Sequence, residues 1–181
     1  VGASPVRGVQ FLPQILPAFY KQYPQVSVRY EEGLSYQLEK RVLNGELDFA
    51  IAFSKSFHPD LLERELLQDP VYLCVPEALF RQYYTPEEIT AIKSRSMDGA
   101  AVEDFTRLPF SLMETRLGRI LQERFTRAGV QPHVLFTSPS SSQIMPLCAM
   151  GVTACFSTHM ALLNHLDQMG DQINIFPMME K

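Results

Sequence analysis

Apolar residues change their spacing several times along this chain, and each change marks an element. Val9, Leu12, Ile15, Leu16 and Phe19 recur at the spacing of one helix face, which predicts an amphipathic helix over residues 6–23. Pro13 and Pro17 lie inside it. An interior proline removes a backbone donor, so the helix is expected to bend or fray near its start. Tyr23-Pro24 ends it, because the residue before a proline avoids the helical region. Val26 to Tyr30 alternates and is rich in β-formers, so it reads as a strand. Ser35 is placed to cap a helix carrying Leu38, Val42 and Leu43, with Glu39 supporting the first turn and Asn44-Gly45 as the stop. Phe49 to Phe53 is a continuous apolar run of strand length, as expected of a parallel strand buried on both faces. With Val1 to Pro5 read as the tail of a strand entering a loop, these elements alternate β-α-β-α-β, the pattern of a parallel sheet covered by helices.

The middle of the chain is less regular. Leu61 to Leu67 reads as extended and edge-like, and Val71 to Val75 as a buried strand stopped by Pro76. Thr85-Pro86-Glu87-Glu88 is a helix start with proline at the first helical position, followed by a short helix through Ile92 and a polar loop from Arg95 to Ala101. After that the alternation resumes. Phe110 to Met113 is a strand. Thr115 opens a helix with Leu117, Ile120, Leu121 and Phe125 on one face and a stop at Ala128-Gly129. Val134 to Thr137 is a strand, Ser140 or Ser141 caps a helix through Met150 interrupted by Pro146, and Val152 to Phe156 is a strand. Met160 to Leu166 is a short helix and Ile173 to Phe176 a final strand. The picture is an α/β chain of successive β/α halves around a loop-rich joint, without a repeat of fixed period.

Composition narrows what such a chain does. The formal charge is −4. An acidic chain without a basic block is poorly suited to gripping DNA by its phosphates. No run approaches the ~18 apolar residues of a membrane span, and no basic start leads into an apolar secretory segment. Cys74, Cys148 and Cys155 are odd in number, lack metal-ligand spacing and sit in apolar runs. They read as buried free thiols of a reducing compartment, so the chain is expected to be cytoplasmic.

No reaction centre is visible. The nucleophile elbow G-x-S-x-G, the dinucleotide fingerprint and the P-loop are missing, and His58, His133, His159 and His165 have no metalloprotease spacing. Glu31-Glu32 and Glu87-Glu88 read as solvated turn and helix-start charges rather than catalytic dyads. What recurs is a hydroxyl at the junction from a strand into a loop or helix: Ser4, Ser35, Ser54, Thr115, and Ser138 to Ser142. In parallel sheets, ligands bind beyond the carboxyl ends of the strands. Helix N-termini there favour anions, and Arg7, Arg116 and Arg119 add fixed charge nearby. Each hydroxyl also has a plainer use, since every helix needs a cap and Ser or Thr is the usual one. The inference is a polar, anion-friendly cleft between two lobes.

V-G-A-S-P, F-L-P-Q-I-L-P-A-F-Y-K-Q-Y-P-Q-V-S-V, E-G-L-S-Y-Q-L and L-N-G-E-L-D-F-A-I-A, all within residues 1–53, resemble the effector-binding domain of LysR-type transcriptional regulators. A-V-E-D-F-T-R-L-P-F at 101–110, R-A-G-V-Q-P at 127–132 and A-M-G-V-T-A-C-F at 149–156 agree in order and spacing. The resemblance implies two Rossmann-like lobes with an interlobe cleft, similar to type 2 periplasmic binding proteins. It places lobe I at residues 1–74 and lobe II at 75–181, and it implies homodimers that pair side by side and antiparallel. Carried over position by position, it puts Ser4, Pro5 and Val6 of the first loop at the cleft. Leu34 and Ser35 follow from the second loop, and Phe53 and Ser54 from the third. In the second lobe it implies Thr115 and Arg116, Ser140 and Ser141, and Phe156 and Thr158.

Three departures from the family pattern are visible. Its winged helix-turn-helix and linker helix are not in this chain, which opens inside a strand as a fragment of something longer would. DNA binding is therefore expected only of a parent protein. The tail stops where relatives usually return to the first lobe, and residues 81–100 are longer than typical. The expected function is sensing of a small effector, an anionic metabolite, within a bacterial transcription regulator. No enzyme activity, cofactor, metal or membrane partner is implied. The alternative is a solute-binding protein of the same architecture that feeds a transporter.

Overall fold

The computed structural model describes residues 1–53, 58–170 and 172–178. The chain divides into two compact units, Val1–Gln68 and Asp69–Lys181.

In the first unit, β1 (Gly2–Ala3) pairs in parallel with β2 (Glu31–Glu32) on one side and β3 (Ala50–Ile51) on the other. The long helix α1 (Pro5–Gln22) leaves directly from β1 and runs through Pro13 and Pro17 without ending. α2 (Ser35–Leu43) follows β2 and stops at Asn44, with Gly45 at a φ of 72° in the left-handed region that glycine enters at no steric cost. The strands are shorter than the residue pattern predicts. Val26 to Tyr30 lies outside the ladder, because β2 pairs only where β1 offers Gly2 and Ala3 as partners. β3 is not buried on both faces: Phe49 is exposed, while Ala50 and Ile51 are partly so. Leu61 to Leu67 carries no strand. Within this unit close packing is tightest at Gly8, where an added Cβ would overlap the Tyr30 hydroxyl. Burial, with the nearby Glu32 charge, pushes that phenol up to about 12.

The second unit holds a five-stranded mixed sheet, ordered β6-β5-β7-β4-β8. β5 (Pro109–Met113) lies parallel to β6 (His133–Ser138) and β7 (Ala154–Thr158). β4 (Val71–Pro76) runs antiparallel to β7 and to β8 (Ile173–Pro177). Two aromatic clusters pack in this unit. Phe110, Phe125 and Phe156 form one, with Phe110 and Phe156 stacked at 5.6 Å and 7°. Phe80, Phe105 and Phe176 form the other, with Tyr84 edge-on to Phe80. As expected, Cys74, Cys148 and Cys155 are free and fully buried. Cys74 and Cys155 are opposite one another on β4 and β7, and Cys148 donates to the Cys74 carbonyl at 3.6 Å. Hydrogen bonding with the neighbouring Cys148 and Cys74 thiols, and then burial, push Cys155 up, which keeps it protonated and unreactive.

The irregular middle proves helical. α3 (Glu77–Tyr83) was not legible in the sequence, and α4 (Pro86–Ser96) runs a turn beyond Ile92. Thr85 and Glu88 form a reciprocal capping box at its start, at 3.3 and 2.9 Å. Glu77 fastens this region to the sheet. It accepts from Lys93 at 2.6 Å, from Asn174 of β8 at 3.0 Å and from Arg81 at 3.2 Å. The Lys93 bond above all, then Asn174, holds its carboxyl near 2 instead of 4.5. A carboxylate with a lowered folded-state pKa stabilises the fold above its unfolded pKa, and the gain fades as pH falls toward 2. Glu77→Gln is expected to lower stability at neutral pH by about 1.5–3 kcal/mol, the range for hydrogen bonds to a charged group. It should also flatten the acid limb between about pH 4.5 and 2. Urea titrations across that range check this, and an unchanged pH slope would count against it.

The remaining α-helices among the described residues are α5 (Arg116–Arg127), α6 (Ser141–Ala149), α7 (His159–Leu163) and α8 (Leu166–Met169). Among the described residues no helix is long and apolar enough to cross a membrane.

Candidate functional site

Each unit presents polar side chains at the carboxyl ends of its parallel strands. In the first unit, Ser4 follows β1 and sits at the N-cap of α1, yet its side chain makes no capping bond. Its Oγ accepts from Arg7 Nη1 at 3.1 Å. The Arg7 guanidinium lies 5.4 Å from the Phe53 ring centre, within cation–π range. The Phe53 backbone amide donates to Ser35 Oγ at 3.0 Å. Ser4, Arg7, Phe53 and Ser35 are thus joined contact by contact, although they come from three different loops.

Ser35 is not the cap of α2. That place falls to Leu34, whose amide donates to the Gln37 side chain at 3.1 Å, so Gln37 does the work expected of Glu39. Freed from capping, Ser35 turns to the third loop. Gly33 donates to the Ala3 carbonyl at 3.2 Å and ties the second loop to the first. Pro5 is exposed at the start of α1 and Val6 is partly buried beside it. Ser54 lies outside the described residues.

In the second unit, the parallel alignment of β5, β6 and β7 brings Met113, Ser138 and Thr158 to one edge. Thr115 caps α5 by accepting from the Gly118 amide at 3.4 Å, and Arg116 is its first helical residue, partly buried. Glu114 joins the strand ends: its amide donates to the Ser138 carbonyl at 3.0 Å, and its carboxylate accepts from Thr137 at 2.9 Å. Ser138 Oγ accepts from the Ser140 amide at 3.0 Å and donates to Gln143. Ser140 is the N-cap of α6 without a side-chain cap, and Ser141 is buried at its first position. Thr158 caps α7 through the Ala161 amide at 3.4 Å. Phe156 belongs to the aromatic core, 3% exposed, with its ring on Phe110.

Capping therefore accounts for Thr115 and Thr158 and leaves the side chains of Ser4, Ser35 and Ser140 for other partners. The sequence reading passed over Glu114, Thr137 and Gln143 as site members, and named Ser138 only within the run Ser138 to Ser142. For Glu114 and Thr137 the signal was present, since each is polar and lies at or just beyond the end of an apolar strand, whereas Gln143 falls in the first turn of α6. Arg7 entered it only as a nearby charge.

The architecture is that of a two-lobe binding domain with a type 2 periplasmic-binding-protein-like fold. The effector binding domain of QuiR in complex with shikimate superposes with a TM-score of 0.75 at 14% identity, covering 99% of this chain and 79% of that one. The regulatory domain of CcmR from Synechocystis PCC6803 in complex with 2-PG gives 0.74 at 18% identity, covering 97% and 77%. Residues 1–172 match the model of the LysR substrate binding domain, and the chain belongs to that family. The transcriptional regulator BbuR of Bordetella bronchiseptica is 25% identical over 154 residues, covering 84% of this chain and 43% of its own length. The Hca operon transcriptional activator HcaR of Escherichia coli is 22% identical over 152 residues, covering 84% and 48%. The chain thus spans less than half the length of either regulator.

Proposed function

We propose that this chain is the effector-sensing and dimerisation domain of a cytoplasmic bacterial transcription regulator, and that its ligand is a small anionic metabolite. Family membership across residues 1–172 supports the regulator class. The observation that carries the ligand reading is the set of hydroxyls at strand ends, on Ser4, Ser35 and Ser140, that do not cap the helices beside them. A capping hydroxyl is explained by its helix, whereas these stand beside helix first turns, where backbone amides attract negative charge. The effector site of this reading draws on Ser4, Pro5, Val6, Leu34, Ser35, Phe53 and Ser54 in one lobe. In the other it draws on Thr115, Arg116, Ser140, Ser141 and Thr158, while Phe156, also expected there, packs into the aromatic core on Phe110.

An effector shifts a regulator only through unequal affinity for two arrangements of it. In the parent protein those arrangements set the disposition of DNA-binding domains outside this chain. Self-association is supported by β6, an edge strand with Val134, Leu135 and Phe136 exposed, and by Val9, Ile15 and Tyr20 exposed on α1. An open apolar edge of this kind is a surface that monomeric proteins avoid. Among the described residues no nucleophile or acid–base pair supports an enzyme reading.

The test is a thermal-shift screen of small metabolites, because a ligand that binds only the native state raises the melting temperature by mass action. Ser4→Ala and Thr115→Ala are expected to weaken the response to a hit about tenfold each, the loss of one good hydrogen bond, while both proteins stay folded. Full affinity in both variants would remove the site assignment.

A further inference from the structure

We propose that Tyr30 is a positioning residue of the effector site: its phenol, wedged against Gly8, sets the turn from β1 into α1 and with it the place from which Ser4 meets a ligand. This rests on the sensing reading above and adds to it a residue that acts through Ser4 without touching the ligand. α1 is eighteen residues long and buries only Gly8. The three atoms nearest an added Cβ at Gly8 all belong to Tyr30, the hydroxyl first and then Cζ at 2.6 Å. Glycine is therefore what lets the helix backbone rest on the ring. The hydroxyl stands 3.5 Å from the Ala3 and Ser4 carbonyls and 3.4 Å from Glu32 Oε1. All three are acceptors, so the phenol serves the turn as a donor whichever it meets. At these distances it steers by shape and charge more than by one strong bond.

The start of α1 needs such a seat, because its own anchors are missing. Ser4 makes no side-chain cap, the first turn carries no acidic residue, and Pro13 and Pro17 remove two backbone donors farther along. The first backbone bond of the helix runs from the Gly8 amide to the Ser4 carbonyl at 2.9 Å. Tyr30 touches both partners of that bond, Gly8 at its Cα and Ser4 at its carbonyl. The Ser4 hydroxyl, free of capping, points where this turn aims it.

Tyr30→Phe and Gly8→Ala break this contact in two ways, with opposite effects on the helix. The first removes the hydroxyl and leaves the ring. The second pushes the ring end out, while alanine itself favours a helix over glycine. In the ¹⁵N-labelled chain, Tyr30→Phe is expected to raise hydrogen exchange at the Gly8 amide about threefold, the low end for one neutral hydrogen bond. Amides of α2 such as Leu38, bonded to the Leu34 carbonyl at 3.0 Å, should keep their protection. The metabolite that stabilises the wild type most in the thermal-shift screen should bind both variants at least about threefold more weakly. It should do so although Tyr30→Phe lowers the melting temperature and Gly8→Ala does not. The double variant should lose no more than the larger single loss, because both changes break one contact. Unchanged exchange at Gly8 in Tyr30→Phe, affinities that follow the melting temperatures, or losses that add in the double variant would overturn the proposal while leaving the sensing reading intact. A screen without any stabilising metabolite would be the failure of that reading itself, and exchange at Gly8 would still decide whether Tyr30 holds the turn.

Discussion

Phe110→Ala is expected to destabilise the second unit by about 3–5 kcal/mol, the usual cost of removing a buried phenylalanine. Phe110 is fully buried on β5, between β6 and β7. Its ring stacks on Phe156 at 5.6 Å and meets Phe125 edge-on at 5.5 Å and 71°. Phe125 and Phe156 are themselves 5.9 Å apart at 77°, so removing the third ring leaves a void that neither neighbour fills by a simple rotation. Domains of ordinary stability have only about 5–15 kcal/mol in hand, so this single loss is a large fraction of the whole. The same β-strand delivers Glu114 and Thr115 to the polar rim, so ligand binding should fall with the fraction folded. Chemical denaturation followed by circular dichroism checks the cost, with Phe110→Leu as a control of smaller effect. A loss below about 1 kcal/mol for the alanine variant would mean that the cluster collapses around the gap.

The second half of this chain was far more readable than the first, and the reason lies in partners. α5 could be read from Leu117, Leu121 and Phe125 on one face and from the hydroxyl of Thr115, because an amphipathic helix and its cap are local facts. Val26 to Tyr30 alternates as a strand should, yet pairing begins only at Glu31, because register is set by β1. Periodicity in one segment carries no record of where its neighbour stops. The direction of β4 was hidden for the same reason: a buried apolar run looks alike in parallel and antiparallel sheets, and β4 is antiparallel to both its partners. α3 escaped notice because its burial comes down to Leu79 and Phe80, two positions in seven residues, too few to establish a period.

At the site, residue type was informative and role was not. A serine before a helix was legible as a cap or as a ligand group, and only the folded arrangement separates Ser4, turned to Arg7, from Thr115, turned to its own helix. The position of Arg7 beside Phe53 joins loops 46 residues apart, and nothing local encodes it.

Gly118→Ala is expected to cost about 3 kcal/mol and to disturb the polar rim as well. Gly118 lies in the first turn of α5, and an added Cβ would sit 1.5 Å from the Met113 carbonyl oxygen. That atom is backbone at the end of β5, so no rotamer change relieves the overlap. Either the strand end or the helix start must move, and Glu114, Thr115 and Arg116 lie between them. The Gly118 amide also donates to Thr115 Oγ1, so displacement of the helix loosens the cap. Gly129→Ala supplies the contrast. Gly129 has a φ of 68° with nothing within 4 Å of the added Cβ, so the change carries only the backbone strain of the left-handed region, about 1 kcal/mol. Stability curves for the two variants separate overlap from strain. If Gly118→Ala costs no more than Gly129→Ala, β5 and α5 are not locked together at this point. The rim of the second unit would then owe its shape to Glu114 and Ser138 rather than to the tight approach of strand and helix.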